Sequence, residues 1–102
     1  MTIDPGIRDD RTAHRYELTV DGQTAVVLYN EVSGGLLITE TIVPVALEGQ
    51  GIASRLARHV LADIRSRGLL ILPTCQFFAR YLQKHPEHAD IVHPSYRIAL
   101  GI

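Results

Sequence analysis

A glycine-rich turn at positions 49–51 is the feature of this chain best suited to bind an anion. Gly49 and Gly51 separate an apolar segment, residues 43–47, from an amphipathic segment that begins at Ile52. Glycines leave backbone N–H groups uncovered, and the first N–H groups of a helix carry partial positive charge. Phosphate or pyrophosphate is the anion that such a turn binds. Alternatively, the glycines only let a strand turn tightly into a helix, and the turn alone does not choose between the two.

Cys75, Glu40 and Tyr81 are the candidates for chemistry on a bound ligand. Cys75 is predicted where a buried strand passes into a helix, which favours thiolate and suits a nucleophile. A buried thiol that lines a ligand site is favoured over a covalent intermediate on the thiol. Alternation along a strand puts Glu40 on a face with Leu36, Ile38 and Ile42, where it could take a proton from an ammonium group, although a solvated edge carboxylate is equally supported. Tyr81 could line a ligand pocket or act as a general acid, or belong to the core.

The histidines near the C-terminus do not have the spacing of a metal site. His85, His88 and His93 lack both a helical i, i+4 pair and a companion pair of cysteines, so we expect no bound metal. Arg55 and Arg58, on the predicted long helix, could reach phosphate groups, although a solvated helix face is the ordinary place for arginine.

The length and composition of the chain indicate one small domain. The chain has 102 residues, 46% of them hydrophobic, and its net charge of −1 lacks the basic excess of nucleic-acid-binding proteins. One cysteine excludes an internal disulfide and suits a reducing compartment, so the cytoplasm is the expected location. No run of about 18 apolar residues predicts a membrane span, and the charged first fifteen residues do not resemble a secretory signal. Residues 1–11 are predicted to form a flexible arm, whose loss would cost the fold little, and residues 12–102 one domain.

The hydrophobic pattern predicts strands first and then alternating helix and strand. Residues 15–20, 24–30 and 36–43 are predicted to form an antiparallel meander with turns at Asp21-Gly22 and Ser33-Gly34-Gly35. From Gly51 the apolar period becomes helical, and Gly68 is predicted to end a helix of about four turns. Residues 69–72 are predicted to form a buried strand, parallel to the third, and residues 75–84 a second helix.

Two common nucleotide-binding patterns do not fit the glycine turn. No Gly-Lys-Ser/Thr follows it, and the strands before it form a meander instead of a βαβ unit. The turn instead resembles the acyl-coenzyme A signature of GNAT-type N-acetyltransferases, Arg/Gln-x-x-Gly-x-Gly/Ala, whose end is filled here by Gly51-x-Ala53. Glu48 stands at the position of the Arg or Gln, where an acid would repel pyrophosphate if it pointed inward.

The resemblance is to the very short, single-domain members of that superfamily and covers residues 14–93. It is carried by Thr41-x-Val43-Pro44 before the turn, and after it by Leu72-Pro73-x-Cys75-x-Phe77, Tyr81 and His85-Pro86. It implies that the strand before the turn pairs with the pantetheine arm of acetyl-CoA, that the turn holds the pyrophosphate, and that the cysteine lies near the acyl sulfur. The implied cofactor-binding residues are Ile42, Val43, Pro44, Val45, Glu48, Gly49, Gln50, Gly51, Ile52, Ala53, Ser54 and Cys75.

We therefore expect an α/β, GNAT-like fold with a meander, a crossover helix, a parallel strand splayed from the third, and a further helix. The expected activity is acetyl transfer from acetyl-CoA to an amine by direct attack, with Cys75, Glu40 and Tyr81 as candidate catalytic residues. Glu40 parallels the general base of larger family members, whereas the short members tend to have histidine there. The acceptor is a small amine, a protein lysine or an N-terminus, and a monomer or weak homodimer is expected. The alternatives are a coenzyme A binding module without efficient turnover and a protein interaction domain.

Overall fold

A computed structural model describes residues 3–102 of the chain; the first two residues of the predicted arm lie outside the described residues. One five-stranded sheet has the order β1-β2-β3-β4-β5, antiparallel except for the parallel pair β4–β5. The helix α1 follows β4 and a 3-10 turn, and α2 and α3 follow β5. The bounds are β1 Ile7–Asp10, β2 Arg15–Val20, β3 Gln23–Val32, β4 Gly35–Ile42, α1 Ile52–Ser66, β5 Leu70–Pro73, α2 Gln76–Lys84 and α3 Pro94–Leu100. The predicted GNAT-like α/β architecture is confirmed. No helix in residues 3–102 is both long and apolar enough to cross a membrane.

The helix α1 covers one face of the sheet, called here the inner face. Its apolar residues recur every three or four positions, so one side of the 15-residue helix is buried. Residues that alternate along the strands meet that side and form a single core. The inner-face residues of the strands are Ile7, Tyr16, Leu18, Ala25, Val27, Tyr29, Leu36, Ile38 and Ile71.

A bulge in β4 reverses the alternation between Ile38 and Thr41. Leu28 pairs with Glu40 and the next residue of β3, Tyr29, pairs with Ile38, which leaves Thr39 without an opposing residue. Because one residue is inserted, Thr41 lies on the inner face and Glu40 on the opposite, outer face. The prediction that Glu40 shares a face with Leu36 and Ile38 is therefore wrong, and its side chain is exposed.

The first strand of the sheet lies inside the segment that the sequence predicts to be a flexible arm. Ile7–Asp10 pairs with β2 along its whole length, and Ile7 is buried. Asp9 accepts a hydrogen bond of 2.6 Å from the hydroxyl of Tyr29, and Asp4 forms an ion pair with Arg55 of α1. The prediction of a frayed segment is therefore wrong for Ile7–Asp10, because mixed charges in a short edge strand hide its pairing from a hydrophobic pattern.

The chain beyond α2 is more regular than the sequence indicates. A 3-10 helix, Pro86–Ile91, packs against α1, and Val92 forms a parallel bridge with Ile71. The imidazole of His93 then caps α3 by accepting the N–H of Ser95. Apolar side chains of α3 and the last residues, Tyr96, Leu100 and Ile102, pack against the core.

Candidate functional site

The glycine turn leaves the N-terminus of α1 open. Gly49 and Gly51 have φ of 80° and 73°, a left-handed conformation that favours glycine. Gly51 is the N-cap, no side chain caps the helix, and its first turn carries no acid. The N–H of Arg55 is bound by the carbonyl of Gly51. The N–H groups of the three preceding helical residues are the ones that an α-helix leaves without internal partners, so they are available to an anion.

A depression of about 190 Å³ lies at this turn and is called here the cradle. The buried side chain of Leu47 forms part of its wall. Seven residues of the predicted cofactor site line it together with Leu47, which the sequence analysis did not name. The lining residues are Val43, Leu47, Glu48, Gly49, Gly51, Ile52, Ala53 and Ser54.

A larger cleft, of about 690 Å³, runs between α1 and α2, and Ser54 lines both this cleft and the cradle. One side is formed by α1 residues spaced three or four apart, and the other by the end of α2 and the 3-10 helix after it. Five of the residues that the sequence indicates as candidates for ligand binding, catalysis or metal binding lie around this one opening, which the sequence does not predict: Ser54, Arg58, Tyr81, His85 and His88. The lining residues are Ser54, Arg58, Leu61, Ala62, Arg65, Tyr81, His85, Glu87 and His88.

Most charges around the cleft are paired with each other. Arg65 binds Asp90 through two hydrogen bonds, of 2.6 and 2.9 Å, and its guanidinium holds the pKa of Asp90 below the usual range. The imidazole of His85 lies 3.5 Å from the carboxylate of Glu87. Arg58 is exposed and takes part in none of the ion pairs found among residues 3–102. The cleft therefore offers one uncompensated cation, one turn of helix beyond Ser54.

His88 lies in the wall of the cleft with its Nδ1 buried, and no hydrogen-bond partner for that atom occurs among the described residues. Burial is the main cause that lowers the pKa of His88 from its ordinary value of 6.5, because a charged imidazole is poorly solvated there. The carboxylate of Glu87 opposes this shift. The imidazole is consequently held in its neutral form more strongly than an exposed histidine would be.

β4 and β5 separate at the end of their pairing and leave a slot in the sheet. The last ladder pair is Ile38 with Pro73, and the chain then turns into α2. The carbonyl of Ile38 accepts the N–H groups of Thr74 and Cys75, at 3.1 and 3.0 Å, and the hydroxyl of Thr74 at 2.7 Å. The edge of β4 beyond this point, residues 39–42, has no ladder partner on the β5 side in the described sheet. This slot is the splay that the sequence analysis expects.

Cys75 lies at the closed end of the slot on the inner face. Its side chain is buried, and its Sγ is 3.4 Å from the Oγ1 of Thr41, so the two residues bridge β4 and the start of α2. Cys75 is the N-cap of α2, as the sequence predicts for a strand-to-helix junction, and its side chain makes no capping bond. It lines neither the cradle nor the cleft.

Other predicted residues lie around the site in different ways. Tyr81 is half-buried in the cleft, with its ring stacked between Phe77 and His85 at centroid distances of 6.1 and 4.3 Å. Arg55, a candidate for phosphate binding, is instead held by Asp4 through hydrogen bonds of 3.0 and 2.9 Å. Besides Cys75, four of the predicted cofactor-binding residues line neither opening: Ile42, Pro44, Val45 and Gln50. Among residues 3–102 no cluster of three or more His, Cys, Asp or Glu could hold a metal ion.

A family model described as GCN5-related N-acetyl-transferase matches residues 15–91, which contain the cradle, the cleft and the slot. The chain belongs to this family. The predicted resemblance is thereby confirmed, and membership supports an acyltransferase activity in general terms. A search of curated proteins finds no match. The matched region ends at Ile91, so α3 lies beyond it.

Proposed function

We propose that the protein is an N-acetyltransferase that uses acetyl-CoA as the acyl donor and a primary amine as the acceptor. The observation that carries this proposal is that the open N-terminus of α1 lies beside two extended features: the cleft, which shares Ser54 with the cradle, and the free edge of β4, which leads to the cradle at Val43. Together they offer an anion site at one end and a long, partly apolar opening beside it. A ligand such as acetyl-CoA, in which a pyrophosphate lies in the middle of an extended molecule, requires an anion site of this kind with space for a long chain beside it.

In this proposal the pyrophosphate binds at the open end of α1. The N–H groups of Ile52, Ala53 and Ser54 supply donors, and the helix dipole adds partial positive charge. Glu48 also lines the cradle, and its carboxylate opposes the binding of an anion. We infer that the backbone groups outweigh this repulsion because Glu48 is exposed to solvent, where charge–charge interactions are screened.

The free edge of β4 is the proposed place for the pantetheine arm. Its amide groups need partners, and the backbone of residues 39–42 offers carbonyl and N–H groups without a neighbouring strand. The predicted role of Ile42 and Val43 is through the backbone, which does not depend on which way a side chain points. Pro44 has no N–H, and the carbonyls of Pro44 and Val45 already accept the N–H groups of Leu47 and Glu48. The slot would then direct the thioester toward Thr41 and Cys75.

Transfer requires the amine nitrogen to attack the thioester carbonyl while the C–S bond breaks. The ammonium must lose one proton before attack, and Glu40 is the candidate acceptor of that proton. The second proton leaves the nitrogen as the amide forms, and the thiolate takes up a proton, for which Tyr81 is the candidate donor. Cys75 is proposed as a residue that lines the thioester, without an acyl-cysteine intermediate, because it is buried against Thr41.

Calorimetric titration with acetyl-CoA tests the proposal. Ser54→Trp fills the junction of cradle and cleft at a helical position, whereas a substitution of Gly51 would also strain its left-handed backbone. Ser66→Trp, at the exposed far end of the same helix, is the matched control. We expect micromolar binding by the wild type and the control and at least tenfold weaker binding by Ser54→Trp. Absence of binding by folded wild-type protein would overturn the proposal.

A coenzyme A binding module without efficient turnover is the second candidate. It is favoured by one observation: Cys75 lines neither opening. Glu40→Gln, Tyr81→Phe and Cys75→Ala separate the two candidates. An enzyme requires at least one of these variants to lose turnover while its affinity for acetyl-CoA is kept, and a binding module shows no amine-dependent release of thiol.

A further inference from the structure

Among residues 3–102, no helix packs on the β3–β5 half of the outer face of the sheet. Its apolar side chains are partly or largely exposed, and Ile42 is 44% exposed. None of them is among the side chains of the described residues that pack against the core. These outer-face residues, as the strand register places them, are Val26, Leu28, Leu37, Ile42, Leu70 and Leu72.

Glu40 is the single charged residue that the register of β3, β4 and β5 directs to this face. It lies directly opposite Leu28, and Ile42, two residues along β4, lies opposite Val26. Neighbours across an antiparallel pair have Cβ atoms about 5 Å apart, so the carboxylate stands within an apolar group. No ion pair among residues 3–102 includes Glu40. The other outer-face charges, on β1 and β2, pair among themselves, as Arg8 does with Glu17.

The slot connects this face to the side on which the cradle and the cleft lie. It opens beside residues 39–42, and Glu40 projects from that edge to the outer face. On the inner face, Thr41 and Cys75 close the slot against the core. A group held in the slot from the helix side is therefore approached from the outer face, next to Glu40.

We propose that the outer face beside Glu40, lined by Val26, Leu28 and Ile42, binds the acceptor, and that the acceptor is a primary amine with one positive charge and an apolar substituent. This inference rests on the proposed function and adds the acceptor's class and route of approach. One carboxylate matches one ammonium, and the apolar neighbours match an alkyl or aromatic group attached close to it. Glu17, which lies opposite Val26 on the same face, is already paired with Arg8 and Arg15, so the further charges of a polyamine would find no second free carboxylate there.

Acetyl transfer on this face conserves atoms and charge. The ammonium gives one proton to Glu40, which releases it to water, and the neutral nitrogen forms a C–N bond with the thioester carbon. The C–S bond breaks with its electron pair moving to sulfur. The remaining excess proton on nitrogen is lost as the amide forms, and the thiolate is protonated, giving amide, thiol and one proton in total.

Two amines of contrasting class test the proposal, with thiol release as the assay and acetyl-CoA saturating. We expect kcat/KM for phenethylamine to exceed that for spermine by at least tenfold. Leu28→Lys places a cation directly opposite Glu40 and should raise KM for phenethylamine at least tenfold with unchanged calorimetric affinity for acetyl-CoA. Ile98→Lys, the same kind of apolar-to-lysine change at an exposed position on α3, should alter neither value.

A binding experiment gives a readout that does not need turnover. In ¹⁵N spectra of the protein titrated with phenethylamine, we expect the largest amide shifts at Val26, Leu28, Glu40 and Ile42. Shifts confined to the cleft, a preference for spermine, or a Leu28→Lys variant with wild-type KM would each overturn the proposal. Loss of acetyl-CoA binding in the wild type would instead overturn the proposed function, so the two failures are distinguishable.

Discussion

Glu48 provides a test of the anion site, because it is the one acidic side chain that lines the cradle. The cradle volume of 190 Å³ equals that of a sphere about 7 Å across, and we take this width as the separation between the Glu48 carboxylate and a bound anion. Two unit charges 7 Å apart in water interact by about 0.6 kcal/mol, so two phosphate charges give about 1.2 kcal/mol before screening. A Debye length of about 8 Å at 0.15 M salt reduces this to about 0.5 kcal/mol.

Replacing Glu48 by glutamine should therefore tighten acetyl-CoA binding about twofold at 0.15 M salt and about fivefold at 0.01 M, where the Debye length is about 30 Å. Glu48→Lys changes the charge by twice as much, so the same reasoning gives about fivefold and about 25-fold. The assay is calorimetric titration at both salt concentrations. Glu31→Gln makes the same change in net charge at an exposed position on β3, outside both openings, and is the control.

The result that would refute the reasoning is an affinity of Glu48→Gln equal to the wild type at 0.01 M salt. An equal gain in Glu31→Gln would also refute it, because the effect would then come from net charge and not from the cradle. A gain that grows as salt is lowered, in Glu48→Gln alone, would place the anion beside the glycine turn.

Three further outcomes are expected. Arg58→Ala should weaken binding of coenzyme A at least threefold more than binding of dephospho-coenzyme A, because the uncompensated cation of the cleft would be lost. Calorimetry measures both affinities, and Arg80→Ala, at an exposed position on α2, is the control. An equal loss for both ligands would contradict this role of Arg58. Deleting residues 1–10 removes β1, the buried side chain of Ile7 and the hydrogen-bond partner of Tyr29. Urea unfolding should then show a free energy of unfolding that is lower by at least about 3 kcal/mol. An unchanged urea midpoint would contradict the role of β1. Because burial lowers the pKa of His88, the unfolded state binds a proton before the folded state does as pH falls below 6.5. The free energy of unfolding should therefore decrease from that pH downward, through the lowered pKa. His88→Gln should reduce this pH dependence in thermal unfolding, and an identical dependence in the variant would contradict the role of His88.

The sequence predicted the elements whose signals are local. The alternation in β2 and β3, the helical period from Ile52 and the apolar run before Pro73 each give a strand or helix close to the observed bounds. The glycine turn was predictable for the same reason, since Gly49 and Gly51 are required by left-handed backbone conformations. Seven of the residues inferred from family resemblance accordingly line the cradle.

The errors arise where pairing between distant segments decides the structure. Nothing local announces the bulge at Thr39, because an inserted residue is defined only by the register against Leu28 and Tyr29. The face of Glu40 was mispredicted for that reason. β1 was missed because the mixed charges of Ile7–Asp10 hide its pairing with β2 from a hydrophobic pattern. The cleft likewise depends on the approach of α2 to α1, which no spacing reveals.

The central claim is that acetyl-CoA binds across the cradle and along the free edge of β4. Amide chemical shifts of ¹⁵N-labelled protein titrated with acetyl-CoA test this most directly. The account predicts the largest shifts at Gly49, Gly51, Ala53 and Ser54, with further shifts at Thr41 and Val43. Saturable binding whose shifts leave the glycine turn and β4 unchanged, or no binding by the folded protein, would contradict it.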